Sequence, residues 1–237
     1  MQSRTYRLDR FIAKHTDHSK NDVRILIAKG RVYVNQTVAV SVDQIIKQFD
    51  EVILDDEVLQ KNTPIYLMLN KPAGVVSATS DPQHTTVIDL LDDHYKDLHI
   101  AGRLDRFSTG LLLLTNDGEW SNSLSHPDNR VAKRYIVELK EPITDAYGDA
   151  FAKGMHFAYE DITTQPAQLK QLEPRVAEVT LHEGRYHQIK RMFGRFRNQV
   201  LSLHRVSIGN LPLDDALKPG EYRMLTRDEV VNITLQA

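Results

Sequence analysis

The stretch Ala101-Gly102-Arg103-Leu104-Asp105-Arg106-Phe107-Ser108-Thr109-Gly110 sets one carboxylate in a loop between two glycines, directly before the apolar run Leu111 to Leu114. A carboxylate fixed by a rigid neighbour can serve as a nucleophile and divide a hard displacement into two easier ones. The same spacing also suits a turn or capping aspartate, so spacing alone leaves both readings open. Other chemistries find no pattern. The chain has no cysteine, which excludes thiolate catalysis, disulfides and cysteine-bound zinc. There is no G-x-G-x-x-G and no G-x-x-x-x-G-K-[ST], hence no nucleotide-cofactor fingerprint, and neither H-E-x-x-H nor G-x-S-x-G occurs. The ten histidines are scattered; His182 and His187 straddle Gly184 and make a poor metal pair, so no metal is expected. The acid pairs Asp55-Asp56, Asp92-Asp93 and Asp214-Asp215 read as solvated turns, and nothing selects two carboxylates for glycoside hydrolysis.

Charge adds a second signal. Thirty Lys and Arg against 32 Asp and Glu give a net charge of -2, so no bulk nucleic-acid footprint exists. The distribution is uneven. Residues 1–31 hold eight bases (Arg4, Arg7, Arg10, Lys14, Lys20, Arg24, Lys29, Arg31) against three acids, and residues 184–205 hold six bases and no acid. Such islands suit either a solvated face or contact with phosphate.

The elements that must position these groups follow from periodicity. Leu8, Phe11 and Ile12 form one helical stripe, with Arg7, Arg10 and Lys14 off it; Val23, Leu26 and Ile27 form a second, opened by Ser19 with Asp22 and closed by Gly30. Val32 to Val34 and Val52 to Leu54 read as strands, with a turn at Asn35-Gln36. The polar Lys61-Asn62-Thr63-Pro64 marks a boundary, predicting domains at 1–60 and 65–237. Beyond it, strands are predicted at Ile65 to Leu69 (stopped by Asn70-Lys71-Pro72), Val75-Val76, Leu111 to Leu114, Arg134 to Lys140, Val176 to Leu181 and Gln199 to Ile208. Helices are predicted at Val87 to Leu91, 119–125, Asp145 to Lys153, around Ile189, Met192, Phe193 and Phe196, and at Asp228 to Leu235. Strands outnumber helices without alternating with them, which predicts an α+β domain with a mixed, largely antiparallel sheet flanked by helices.

Four ordered segments carry a family resemblance. Gly102-Arg103-Leu104-Asp105-x-x-Ser108-x-Gly110-Leu111-Leu112 resembles the signature loop of the pseudouridine synthases, in the family named for ribosomal small-subunit pseudouridine synthase A. Asn70-Lys71-Pro72-x-Gly74 resembles that family's opening strand, Lys133-Arg134-Tyr135 its Lys-x-Tyr motif, and Glu183 to Met192 its late basic helix. Residues 1–60 resemble the small S-four RNA-binding domain. The resemblance implies a catalytic domain that breaks the carbon–nitrogen glycosidic bond of a uridine, turns the base and rejoins it through carbon, with no cofactor. It implies Asp105 as nucleophile, Tyr135 as the flat partner of a flipped base, Lys190 as the cation that keeps the drying carboxylate ionised, Arg103 as a loop or phosphate contact, and Leu203 as packing beneath the pocket. Arg7, Arg10, Lys14, Arg24, Lys29, Arg31, Arg185, Arg191 and Arg195 are the remaining expected RNA contacts.

The expected substrate is one uridine of 16S rRNA, free or in a ribosomal assembly particle; Phe151-Ala152-Lys153-Gly154 and Arg185-Tyr186-His187-Gln188 tilt toward the small-subunit type over relatives that modify 23S rRNA. Two rival classes remain: a ribosome-associated binder without essential catalysis, and a hydrolase using Asp105 on a small glycoside. No apolar run is long enough for a membrane span and no apolar run follows the first residues, so a cytoplasmic monomer is expected.

Overall fold

The computed structural model describes residues 5–234, so Arg4 of the basic island and Leu235 of the last predicted helix lie outside the described residues. The chain divides into two compact units, one of residues 1–64 with 117–119 and one of the remaining residues.

In the first unit, α1 (Leu8–His15) and α2 (Lys20–Ala28) cover a small sheet of β1 (Val32–Val34), β2 (Thr37–Val38), β3 (Val52–Leu54) and β4 (Glu57–Gln60), in the order β2-β1-β3-β4. The stripes on both helices are buried: Leu8, Phe11, Ile12, Val23, Leu26 and Ile27 pack with Val32, Val34, Val52 and Leu54. The Ser19 hydroxyl accepts from the Asp22 N–H at 3.3 Å while the Asp22 carboxylate accepts from the Ser19 N–H at 3.1 Å, a reciprocal cap that starts α2. Asn35 and Gln36 both take positive φ (49° and 65°), the two-residue turn whose twist matches an antiparallel hairpin.

The second unit is built on a sheet of β5 (Tyr66–Lys71), β6 (His99–Ala101), β7 (Thr109–Thr115), β8 (Lys133–Leu139), β9 (Gln168–Glu173), β10 (Val176–Leu181), β11 (Val200–Ile208) and β12 (Tyr222–Met224). The main path runs β9-β10-β8-β11-β7-β5-β12, with β6 also on β7. Only the β11–β7 pair on this path is parallel, so the sheet is mixed and largely antiparallel. Its helices are α3 (Gly118–Ser125, in this unit from Trp120 on), α4 (Asp145–Lys153), α5 (Gln188–Gly194) and α6 (Arg227–Asn232). The four leucines of β7 are fully buried because both sheet faces are covered: Leu112 and Leu114 join one core with Val137 and Phe193, Leu111 and Leu113 another with Met68 and Ile208.

Several elements differ from expectation. Val87 to Leu91 forms successive turns, not a helix. Thr86 and Asp89 exchange a cap (Thr86 N–H to Asp89 Oδ2, 2.7 Å; Asp89 N–H to Thr86 Oγ1, 3.2 Å), but Leu91 bonds back only to Ile88, and Val87, Ile88 and Leu91 all bury into the core. β5 continues through Lys71, whose side chain is pulled into the protein interior, and Val76 makes only an isolated bridge to Thr86. α5 ends at Gly194, so Phe196 lies past the helix; its ring still stacks on Tyr147 at 4.0 Å.

Candidate active site

The loop between β6 and β7 carries Asp105, and its backbone is clamped from three sides. The buried Ser77 hydroxyl donates to the Leu104 carbonyl at 2.7 Å and accepts from the Leu104 N–H at 3.1 Å. Ser108 N–H donates to the Asp105 carbonyl at 3.0 Å, closing a turn at the carboxylate itself. Two buried cations lie beneath. Arg205 of β11 donates from Nε to the Leu111 carbonyl (2.7 Å) and from Nη2 to the Gly102 carbonyl (2.8 Å). Lys71 Nζ donates to the carbonyls of Pro72, Arg106 and Ser108 at 2.9, 3.0 and 2.8 Å. Burial pulls the Lys71 ammonium down to about 8; the Asp105 charge draws it back up and Arg205 pushes it further down. Close approach of the chains is needed here: a Cβ on Gly110 (φ +100°) would lie 2.3 Å from the Arg205 carbonyl oxygen.

The opposite wall is α5 and the turn before it. Glu183, buried, accepts from Gln165 N–H (2.8 Å), Gln188 Nε2 (2.7 Å) and Arg185 Nε (2.8 Å), and Gln188 Oε1 accepts from Arg185 N–H at 3.1 Å. This network holds the turn in which His187, with φ +49°, precedes the first residue of α5. The result is a carboxylate flanked at both oxygens: Lys190 Nζ is 3.2 Å from Asp105 Oδ2, and His187 Nε2 is 3.4 Å from Oδ1. Tyr135 on β8, nearly buried, lines the same narrow cleft of about 90 Å³ together with Leu203, Leu181 and Ile189. A hollow of about 460 Å³ shares Ser108, Lys190 and Leu203 as walls. A larger one of about 640 Å³, between Val131, Ala167 and Ile233, has no acid or lysine in its lining, so the reactive groups belong to the small cleft.

Asp105, Tyr135, Lys190 and Leu203 thus stand together, with Arg103 and Arg185 on the same walls. The other expected RNA contacts divide. Arg7 donates twice to Asp9, Arg31 twice to Asp55, and Arg191 to Glu160 while its guanidinium lies 3.8 Å from the Phe157 ring centre. Each of these three meets a carboxylate of the protein itself, as Arg185 meets Glu183, and Arg7 and Arg31 remain partly exposed. Arg10, Lys14, Arg24, Lys29 and Arg195 are exposed and make no ion pair among the described residues. Sequence reasoning missed Lys71, Ser77, Glu183, His187 and Arg205; the one available signal was their position inside or beside the quoted motifs. Among the described residues no group of three or more His, Cys, Asp or Glu is placed to hold a metal ion.

Residues 65–194, which include the Asp105 loop, Tyr135 and Lys190, match the family model described as RNA pseudouridylate synthase. The chain belongs to the RNA pseudouridine synthase family. Pseudouridine synthases are isomerases, and this chain is one by membership. It is 51% identical over 229 residues to ribosomal small subunit pseudouridine synthase A of Pseudomonas aeruginosa, covering 96% of this chain and 100% of that one. It is 41% identical to the protein of the same name from Escherichia coli K12, covering 96% and 99%. A crystal structure of a pseudouridylate synthase matches with a TM-score of 0.71 at 38% identity, over 96% of this chain and 99% of the other. No helix among the described residues is long and apolar enough to cross a membrane.

Proposed function

We propose that this pseudouridine synthase converts one uridine of 16S small-subunit ribosomal RNA, with Asp105 as the nucleophile. The observation that carries the site assignment is the Asp105–Lys190 pair at 3.2 Å in a cleft walled by Tyr135. The target nucleotide must leave its stack to reach that carboxylate. The Tyr135 ring, buried in the sheet, offers the flipped base an aromatic face whose position is fixed. As the base displaces water, the carboxylate loses solvation, and the Lys190 ammonium on Oδ2 supplies a fixed counter-charge while Oδ1, with only His187 near it at 3.4 Å, is the side from which attack proceeds. Arg103 and Arg185 at the cleft meet the flanking phosphates, and Arg185 is kept extended by Glu183.

Residues 1–60 act as an S-four-like RNA-binding domain through Arg10, Lys14, Arg24 and Lys29, which are exposed and form no ion pair among the described residues. The enzyme works as a cytoplasmic monomer on the ribosomal RNA, free or within an assembling small subunit. The small-subunit choice rests on the names of the relatives that match over nearly the full chain. The test is pseudouridine mapping in ribosomal RNA from cells lacking the gene. Loss of one site in 16S rRNA supports the proposal; loss confined to 23S rRNA overturns the choice of subunit, and loss of none overturns the RNA substrate.

A further inference from the structure

We infer that His187 is the proton carrier of the isomerisation, taking the hydrogen from uracil C5 and supplying the one that N1 requires. The inference rests on the reading of Asp105 as nucleophile. The reaction sets the requirement. The N1–C1′ bond breaks and leaves its electron pair on N1; the C5–C1′ bond forms at the expense of the ring double bond. C5 then carries both the sugar and its original hydrogen. The C5–H bond must break, its electron pair restoring the double bond, and one proton must arrive at N1. One proton leaves carbon and one reaches nitrogen, so a single group that accepts and then donates balances the reaction with no co-reactant.

The groups facing the cleft narrow the choice. The ammonium of Lys190 and the guanidinium groups of Arg103 and Arg185 are donors without an acceptor site. Asp105 is engaged with the nucleoside until the new carbon–carbon bond forms, and on release it pairs again with the Lys190 ammonium at 3.2 Å. Tyr135 is nearly buried in the sheet wall, where its ring is the face on which the base stacks, and Lys71 lies beneath the loop with its ammonium spent on three carbonyls. An imidazole has one donor and one acceptor nitrogen when neutral, so it can do both jobs in turn. His187 Nε2 stands 3.4 Å from Asp105 Oδ1, the oxygen not held by Lys190, and therefore beside the place where the glycosidic carbon is exchanged.

The ring is also held in position. Its backbone sits in the left-handed region at φ +49°, sparsely populated for a residue with a Cβ. The His187 carbonyl accepts from Arg191 N–H at 2.9 Å, the buried Gln188–Glu183 pair fixes the next residue, and the Tyr186 ring stacks on the imidazole at 3.9 Å. Nothing in the packing requires a histidine: the side chain is about a third exposed, and among the described residues its one ion-pair partner is Asp105.

The experiment follows single turnover of small-subunit ribosomal RNA transcribed with ordinary uridine or with uridine deuterated at C5. His187→Asn and His187→Gly are the variants, because both residues accept positive φ and keep the turn. Expected are a loss of about 10²-fold or more in turnover, a C5 isotope effect larger than that of the unsubstituted enzyme, and recovery of the glycine variant by added imidazole. Turnover near the unsubstituted rate in both variants overturns the inference. So does a loss with an unchanged C5 isotope effect and no recovery by imidazole. Asp105→Asn, run in parallel, separates the two readings: if it retains turnover, the nucleophile assignment fails, whereas if it is inactive and the His187 variants behave normally, only the proton carrier is wrong.

Discussion

Lys71 is a charged side chain with no solvent exposure, and its replacement by methionine separates holding the chain together from holding the nucleophile in place. Its ammonium is pulled from 10.5 to about 8 by burial, equivalent to roughly 3 kcal/mol of unfavourable charge burial at neutral pH. Methionine removes that cost. It also leaves the buried Ser108 carbonyl without its donor, a loss of about 1–3 kcal/mol; the Pro72 and Arg106 carbonyls are only partly buried and can turn to water. The two effects nearly cancel, so urea unfolding should report a stability change below about 2 kcal/mol. Activity should not survive as well. Two of the three carbonyls, those of Arg106 and Ser108, follow Asp105 in its loop, and a nucleophile displaced by about 1 Å can lose on the order of 10²-fold in rate. pH divides the same two roles. Between about 8 and 10.5 the unfolded chain keeps a proton on Lys71 that the folded chain has released, so Lys71 makes stability rise with pH through that window. Over the same range the neutral amine has too few hydrogens for three carbonyls, and turnover should fall. A Lys71→Met variant that unfolds several kcal/mol more easily, or that turns over at the unsubstituted rate, refutes the assignment of Lys71 to the loop.

Three further outcomes are expected. Lys190→Met should lower single-turnover rate much more than RNA affinity measured by filter binding, because one phosphate-independent contact at 3.2 Å from Asp105 is removed; a fall in affinity alone contradicts its role at the carboxylate. Tyr135→Phe should keep most activity and Tyr135→Ala should lose it, by about 1–3 kcal/mol of stacking; equal activity in both shows that the ring does not hold the base. Gly110→Ala should destabilise the catalytic unit by about 3 kcal/mol or more in thermal unfolding, since a Cβ would lie 2.3 Å from the Arg205 carbonyl at φ +100°; an unchanged melting temperature contradicts the tight β7–β11 junction.

What the sequence reveals depends on whether an interaction leaves a pattern. Leu111 to Leu114 is an uninterrupted apolar run, and only a strand covered on both faces accommodates it. Ser19 and Asp22 satisfy each other three residues apart, so the start of α2 is visible in the letters alone. Lys71 and Arg205 are different. Their partners are backbone carbonyls contributed by distant residues, and a carbonyl is the same at every position. The pairs Arg31–Asp55 and Arg191–Glu160 join residues far apart in sequence, so the charge of the two islands counted along the chain leaves out acids that meet them in the fold. β9 has five exposed residues and one half-buried among its six, and β2 and β12 are only two or three residues long; such edges carry little periodicity. The predicted helix at Val87 to Leu91 failed because its apolar spacing serves a run of turns pressed onto the core. His187 was visible inside a motif, but its contact with Asp105 depends on a left-handed turn that no spacing rule announces.

The central claim is that one carboxylate makes and breaks a covalent bond with the nucleoside. The direct measurement is pseudouridine formation by Asp105→Asn in a single turnover on small-subunit ribosomal RNA, with RNA affinity and thermal unfolding measured on the same preparation. The amide nearly preserves the size of the side chain, and Lys190 and His187 remain beside it. Product formation should be abolished while affinity and melting temperature stay close to those of the unsubstituted protein. Product formed at an appreciable rate by the asparagine variant contradicts the account.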